Sequence, residues 1–265
     1  MNLQRGLIVA GSGRGGKRPP AARRDTHTRK RLAALAGMIG HWETFSFQPP
    51  PALACAYREG PTRVTLEPGL DPEERQQAIL GPLVRVIQEA AADQPWALIG
   101  AASARLQGVE VPATNLEFIT TESALMALGE MLGVASDWGQ GTHLAANRLH
   151  FMRHGIPVFV FGDPVFHGPY ESLAPREVPS LWDARVKVDC RGTGVLCTPL
   201  EWELVLAVVL AASQRIDAVG QRMLETGYDS RLVVRLLREG RVARHTEEAV
   251  WAVLEHPDAK SSAAE

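Results

Sequence analysis

The residues best suited to chemistry lie between Trp96 and Thr121. Trp96-Ala97-Leu98-Ile99 reads as a short strand ending at Gly100, with Ala101, Ala102 and Ser103 opening a helix behind it. A glycine at such a turn lets backbone approach a phosphate closely, and the helix behind it points its first amides outward. Asn115-Leu116-Glu117-Phe118-Ile119 reads as a second strand. Strand side chains alternate between faces, so Asn115 and Glu117 share one. An acid pair at that spacing beside a phosphate-binding turn suits divalent metals and nucleotidyl transfer, and here the pair is an amide and a carboxylate.

The elements that must position these residues are legible from periodicity and caps. Asp71-Pro72-Glu73-Glu74 opens a helix, with Asp71 as N-cap, Pro72 at the first helical position and Glu74 completing a capping box. Ile79, Leu80, Leu83, Val86, Ile87 and Ala90 recur at helical spacing, and Pro82 is expected to kink that helix. Residues 122–132 read as a helix and 156–161 as an apolar strand. Residues 184–190 and 195–198 read as a hairpin around Arg191-Gly192-Thr193-Gly194. Thr198-Pro199-Leu200-Glu201 is a second capping box, opening a helix that runs to Ile216, and residues 228–239 and 246–255 supply two more helices. This order predicts an α/β or α+β sheet with helices on one side.

With these elements in place, Ile99-Gly100-Ala101, thirteen residues, then Asn115-Leu116-Glu117-Phe118 resembles the polymerase-β-like nucleotidyltransferase superfamily. Its small branches include antibiotic-modifying and toxin–antitoxin enzymes. The resemblance spans about residues 90–240. It implies an α+β fold, a small mixed sheet of nucleotidyltransferase type with a C-terminal helical bundle. It further implies Glu117 and Asn115 in the catalytic role and Gly100, Ala101 and Ser103 at the nucleotide. Glu117 and Asp163 would hold the metal, magnesium, with an NTP as substrate or ligand. The departures are as specific as the match. Ala101 stands where Gly or Ser contacts phosphate, and Asn115 replaces the first metal-binding Asp. The third carboxylate position falls near Phe159, with Asp163 just beyond that strand and Asp189 on another. By that logic Glu117 alone of three acids remains, and a nucleotide-binding protein with little or no catalysis is expected. An active nucleotidyltransferase is the alternative, as is a regulatory or defence protein with a protein partner. An unrelated α/β core with a tight glycine turn explains the same stretch.

A second resemblance, to a short HExxH metallopeptidase module, covers about residues 52–90. There Gly81-Pro82-Leu83-Val84-Arg85 occupies the aligned positions, with neither His nor Glu, so no zinc is expected. Two strands, at 52–57 and 62–67, belong to that stretch.

Composition sets outer limits. Of 265 residues 45% are hydrophobic and 22% charged, as in ordinary globular proteins. The longest apolar run, residues 204–212, is about half of the roughly 20 residues a bilayer requires, so no membrane partner is expected. Three cysteines, an odd number, argue against a disulfide framework and for the reducing cytoplasm. Nine Lys/Arg and one Asp fall within residues 1–32, against a net charge of −2 for the whole chain. That concentration reads as a solvated leader, or as a nucleic-acid contact through residues 1–31. Gly11 through Lys17 fits the Walker spacing, but Arg18 replaces the magnesium ligand and Pro19-Pro20 forbids the helix. His150 and His154 would share a face only in a helix, and Asp163 reads equally as a turn cap near His167. The expected organisation is a basic, mostly disordered leader (1–40), a hairpin-plus-helix module (41–93), the core (94–198), a helical region (199–258) and a frayed tail (259–265).

Overall fold

The computed structural model describes residues 70–255. The leader, the Walker-like run, the strands expected at 52–57 and 62–67, and the tail lie outside the described residues.

Helix α1 (Pro72–Ala91) begins as its sequence dictates. The Asp71 carboxylate accepts from the Glu74 amide at 2.8 Å, and the Glu74 carboxylate accepts from the Asp71 amide at 3.1 Å. It runs as one helix with Pro82 inside it. One lost intrahelical bond is outweighed by the buried face of Ile79, Leu80, Leu83, Val84 and Ile87. Gly81 brings the helix so close to the sheet that a Cβ there would meet the Thr193 hydroxyl at 2.8 Å. Of the five positions from Gly81 to Arg85, Gly81, Leu83 and Val84 are therefore packing residues, and Arg85 is exposed.

Along the chain follow β1 (Trp96–Ile99), α2 (Gly100–Leu106), β2 (Leu116–Thr120), α3 (Glu122–Leu132), β3 (Asp137–Gln140), β4 (Leu144–Arg153) and β5 (Ile156–His167). Then come β6 (Ser172–Leu173), a 3-10 turn, α4 (Pro179–Asp183), β7 (Val186–Cys190) and β8 (Thr193–Cys197). Four helices close the described chain: α5 (Leu200–Val209), α6 (Ser213–Thr226), α7 (Ser230–Glu239) and α8 (Arg244–Glu255). The eight strands form one mixed sheet, ordered β3-β4-β5-β2-β1-β8-β7, with β6 beside β5. β2 runs antiparallel to β1 and parallel to β5, and β1 runs parallel to β8. The fold is thus α+β, a mixed sheet with a C-terminal helical bundle.

Helices cover both faces of the sheet, not one. Trp96, Leu98, Leu116, Phe118, Val158 and Val160 pack under α1 and α3. Ala97, Ile99, Ile119 and Phe161 pack under α4 to α8. Two further expectations change at the bundle. The helix expected from Pro199 to Ile216 is two helices, because Ala211 takes a left-handed conformation (φ 54) between α5 and α6. α5 is apolar almost all round, with Trp202, Leu204, Val205, Leu206 and Val209 buried, and so forms the bundle's centre. α6 is amphipathic and must turn to place Val219 and Met223 inward. The second capping box does not form either: α5 has no side-chain cap, and the Thr198 hydroxyl goes elsewhere. Strands β3 and β4 occupy a stretch for which the sequence suggested none.

Candidate functional site

β1 ends and α2 begins at Gly100, whose φ of +77° is a left-handed value that glycine adopts without strain. The antiparallel β1–β2 register sets Ile99 opposite Glu117, so the turn lies beside that glutamate. A Cβ on Gly100 would stand 2.7 Å from Glu117 Oε2. The turn and the polar strand are therefore neighbours. Asn115 turns its amide to Glu117, donating from Nδ2 to Oε1 at 3.0 Å. Burial pushes the Glu117 carboxyl above its ordinary value, while Arg215 and the Asn115 hydrogen bond pull it the other way.

A second carboxylate stands on the other side of Gly100, and sequence reasoning missed it. Glu203, in the first turn of α5, is fully buried. Its Oε1 accepts from the Gly100 amide at 2.8 Å and from the Thr198 hydroxyl at 2.5 Å. Its Oε2 is buried without a hydrogen-bond partner. Burial, with Glu117 repelling it, raises its pKa to about 7, although Arg215 and the two hydrogen bonds oppose the shift. Through Gly100, the Glu117 and Glu203 carboxylates lie at most about 8 Å apart. Arg215, half-buried on α6, acts on both carboxylates through space. A signal for Glu203 was present in the sequence: it is the lone charge within the apolar run from Trp202 to Val209.

The parallel β2–β5 register pairs Glu117 with Phe159, so the strand position next to Glu117 carries an aromatic ring where a further acid was sought. On the far side of β5, His150 of β4 pairs with Phe159. Their rings stack at 4.4 Å between centroids and 5° between planes. His150 therefore belongs to a strand and His154 to the turn after it (φ 48), so the two do not share a helical face.

Other residues singled out by sequence are placed elsewhere. Asp163 accepts from the Glu122 amide at 3.0 Å and so caps α3. It sits four residues beyond Phe159 along β5, about 13 Å from the level of Glu117, too far to share a cation with it. Asp189 holds the β7–β8 turn by accepting from the Gly192 amide at 3.2 Å. Ser103 is fully buried, and its hydroxyl contacts Thr198 Oγ1 at 3.2 Å. Ala101 is half-buried at the start of α2. His167 contacts the Ser172 hydroxyl through Nδ1 at 2.8 Å. Among the described residues, no three His, Cys, Asp or Glu side chains converge on a metal-sized site. Nor is any helix among them long and apolar enough to cross a membrane.

Magnesium requires several anionic oxygens to displace its water. Here Glu117 Oε1 is tied to Asn115, Glu203 Oε1 to Gly100 and Thr198, and the third strand position is Phe159. Arg215 already supplies positive charge to both acids. This donor set does not fit a two-metal centre.

No family model and no curated protein matches the sequence. Solved structures with a similar chain path include the nucleotidyltransferase candidate TM1012 of Thermotoga maritima, at 16% identity and a TM-score of 0.42, covering 54% of this chain and 92% of that one. The antibiotic-resistance factor ANT(2'')-Ia matches at 14% identity over 68% of this chain and 97% of its own, with a TM-score of 0.38. An antigenic nucleotidyltransferase-like protein of Paracoccidioides brasiliensis matches at 13% identity over 69% and 89%, again with a TM-score of 0.38.

Proposed function

We propose that this protein is nucleotidyltransferase-like and binds a nucleotide beside Gly100, Asn115 and Glu117 without catalysing two-metal nucleotidyl transfer. The observation that carries this reading is the β2–β5 register, which sets Phe159 beside Glu117 where the family pattern calls for a third carboxylate. A transfer reaction of that class needs cations on both the attacking and the leaving oxygen, and the acids to hold them are missing. Recognition asks less. The glycine turn, the Asn115 amide and the half-buried Glu117 carboxylate can orient a ligand with no metal.

The test is thermal stabilisation of the full chain by each of the four NTPs, in magnesium and in EDTA. A ligand at 100 times its dissociation constant adds about 2.7 kcal/mol, a readily measured shift. Stabilisation in both buffers without incorporation of α-labelled nucleotide is the expected result. Absence of any shift with all four NTPs overturns the reading.

One observation favours a second reading. Glu203 supplies a second carboxylate next to Glu117, with one oxygen unspent. If the pair sustains transfer to a small molecule, protein or RNA end, label is incorporated from an α-labelled NTP and Glu117→Gln abolishes it.

A further inference from the structure

We propose that the His150–Phe159 ring stack is a platform for a nucleobase, which lies against the Phe159 ring on the side of β2. The proposal rests on the nucleotide-binding reading above and names the part of the ligand that lies on the Phe159 side of Glu117. Phe159, Phe161 and His150 stand on the same sheet face as Glu117, by the β2–β5 and β4–β5 registers. The three rings are aligned: Phe159 is 5° from His150, and 9° from Phe161 at 6.1 Å. The helical bundle covers only part of this face. Ile119 and Phe161 are buried under it, whereas Glu117, Phe159 and His150 are half-buried. The cover thus thins between Phe161 and Phe159: Phe159 still packs against the edge of the bundle core, and with His150 it stands half-buried at the margin of that cover.

Two details favour a flat, uncharged ligand ring there. Glu117 leans across β2 to Gly100, at the end of β1, and therefore away from Phe159. The β2 side of the Phe159 ring is thus not where the carboxylate goes. On the opposite side, burial and the neighbouring Arg148 lower the His150 pKa, against the weaker pull of Asp137. The imidazole, stacked parallel on the phenyl ring, backs the π-surface that Phe159 turns towards β2. A base laid against Phe159 would bring its edge towards Asn115 and Glu117, whose amide and carboxylate can accept and donate hydrogen bonds. Base-on-aromatic stacking tolerates any base, so the platform would set affinity and the Asn115–Glu117 pair the preference among bases.

The experiment measures equilibrium binding of ATP, adenosine and tripolyphosphate to the full chain and to Phe159→Leu and His150→Ala variants, each checked for an unchanged melting profile. Leucine keeps an apolar side chain at position 159 and removes the ring. Phe159→Leu is expected to weaken ATP and adenosine roughly 10-fold or more and to leave tripolyphosphate unchanged. In the unsubstituted protein, saturation transfer to bound ATP should be strongest at the base protons. Equal ATP binding by the unsubstituted protein and Phe159→Leu overturns the platform while leaving the nucleotide reading intact. Saturation transfer confined to the ribose does the same. If the unsubstituted protein binds neither tripolyphosphate nor any of the four NTPs, the platform and the nucleotide reading fall together.

Discussion

Replacing Glu203 by glutamine tests whether a carboxyl group is held near neutrality beside Gly100. Its pKa rises from an ordinary 4.5 to about 7 on folding, chiefly through burial. The folded chain then binds this proton more tightly than the unfolded chain. The associated stability is complete below about pH 4.5 and is lost as pH climbs towards 7 and above. At 1.36 kcal/mol per pH unit, the loss between pH 5 and pH 8 comes to about 2.5 kcal/mol. A glutamine side chain in its place would keep a carbonyl acceptor for the Gly100 amide and the Thr198 hydroxyl, yet carries no titrating proton. Its amide nitrogen would sit where Oε2 is now without a partner, a cost that does not depend on pH. The informative quantity is therefore the stability difference between the two proteins, followed by urea unfolding from pH 5 to pH 8. It should shift by about 2.5 kcal/mol in favour of Glu203→Gln, equivalent to roughly 5–10 °C in melting temperature. Glu117, shifted upward as well, is present in both proteins and contributes to the difference only through its repulsion of Glu203. A difference that stays constant across this range refutes the reasoning, because Glu203 would then titrate as an ordinary solvated acid.

Gly100→Ala puts a Cβ on a left-handed residue and 2.7 Å from Glu117 Oε2, so urea unfolding should report a loss of about 1–2 kcal/mol. A neutral result would mean the turn is not as the β1–β2 register sets it. Asp163→Asn retains an acceptor for the Glu122 amide and tolerates the positive φ, so stability should fall by under about 1 kcal/mol and nucleotide binding should not change. Loss of binding in that variant would return Asp163 to the ligand set. Cys190 and Cys197 are free and buried, with the Cys197 thiol pushed up to about 12 by burial. A Cys55→Ser protein should therefore take up no thiol reagent at pH 8 while folded, and both remaining thiols should react in denaturant.

The local steps were legible because each is decided within a few residues. The Asp71–Glu74 box, the strand at Trp96–Ile99 and the α3 helix from Glu122 to Leu132 follow from caps and periodicity alone. The glycine turn beside Asn115 and Glu117 was also readable, since strand alternation and one short connection bring them together. Strands β3 and β4 were not, because β3 is short and mostly exposed and the apolar residues of β4 alternate only weakly, so pairing across the sheet is what makes them strands. The break at Ala211 was hidden for a similar reason: residues 210–212 are good helix formers, and only the need to bury both α5 and α6 forces the turn. The hydrogen bonds that Asp163 makes to α3 and Ser103 makes to Thr198, and the burial of Ser103, were not legible either, because proximity in sequence does not encode them. What sequence alone determined was the turn and one acid beside it. Sequence order also put Phe159 at the third strand position, in agreement with the β2–β5 register, but tertiary structure decided the other carboxylate, because the bundle carries Glu203 to Gly100 from 103 positions away.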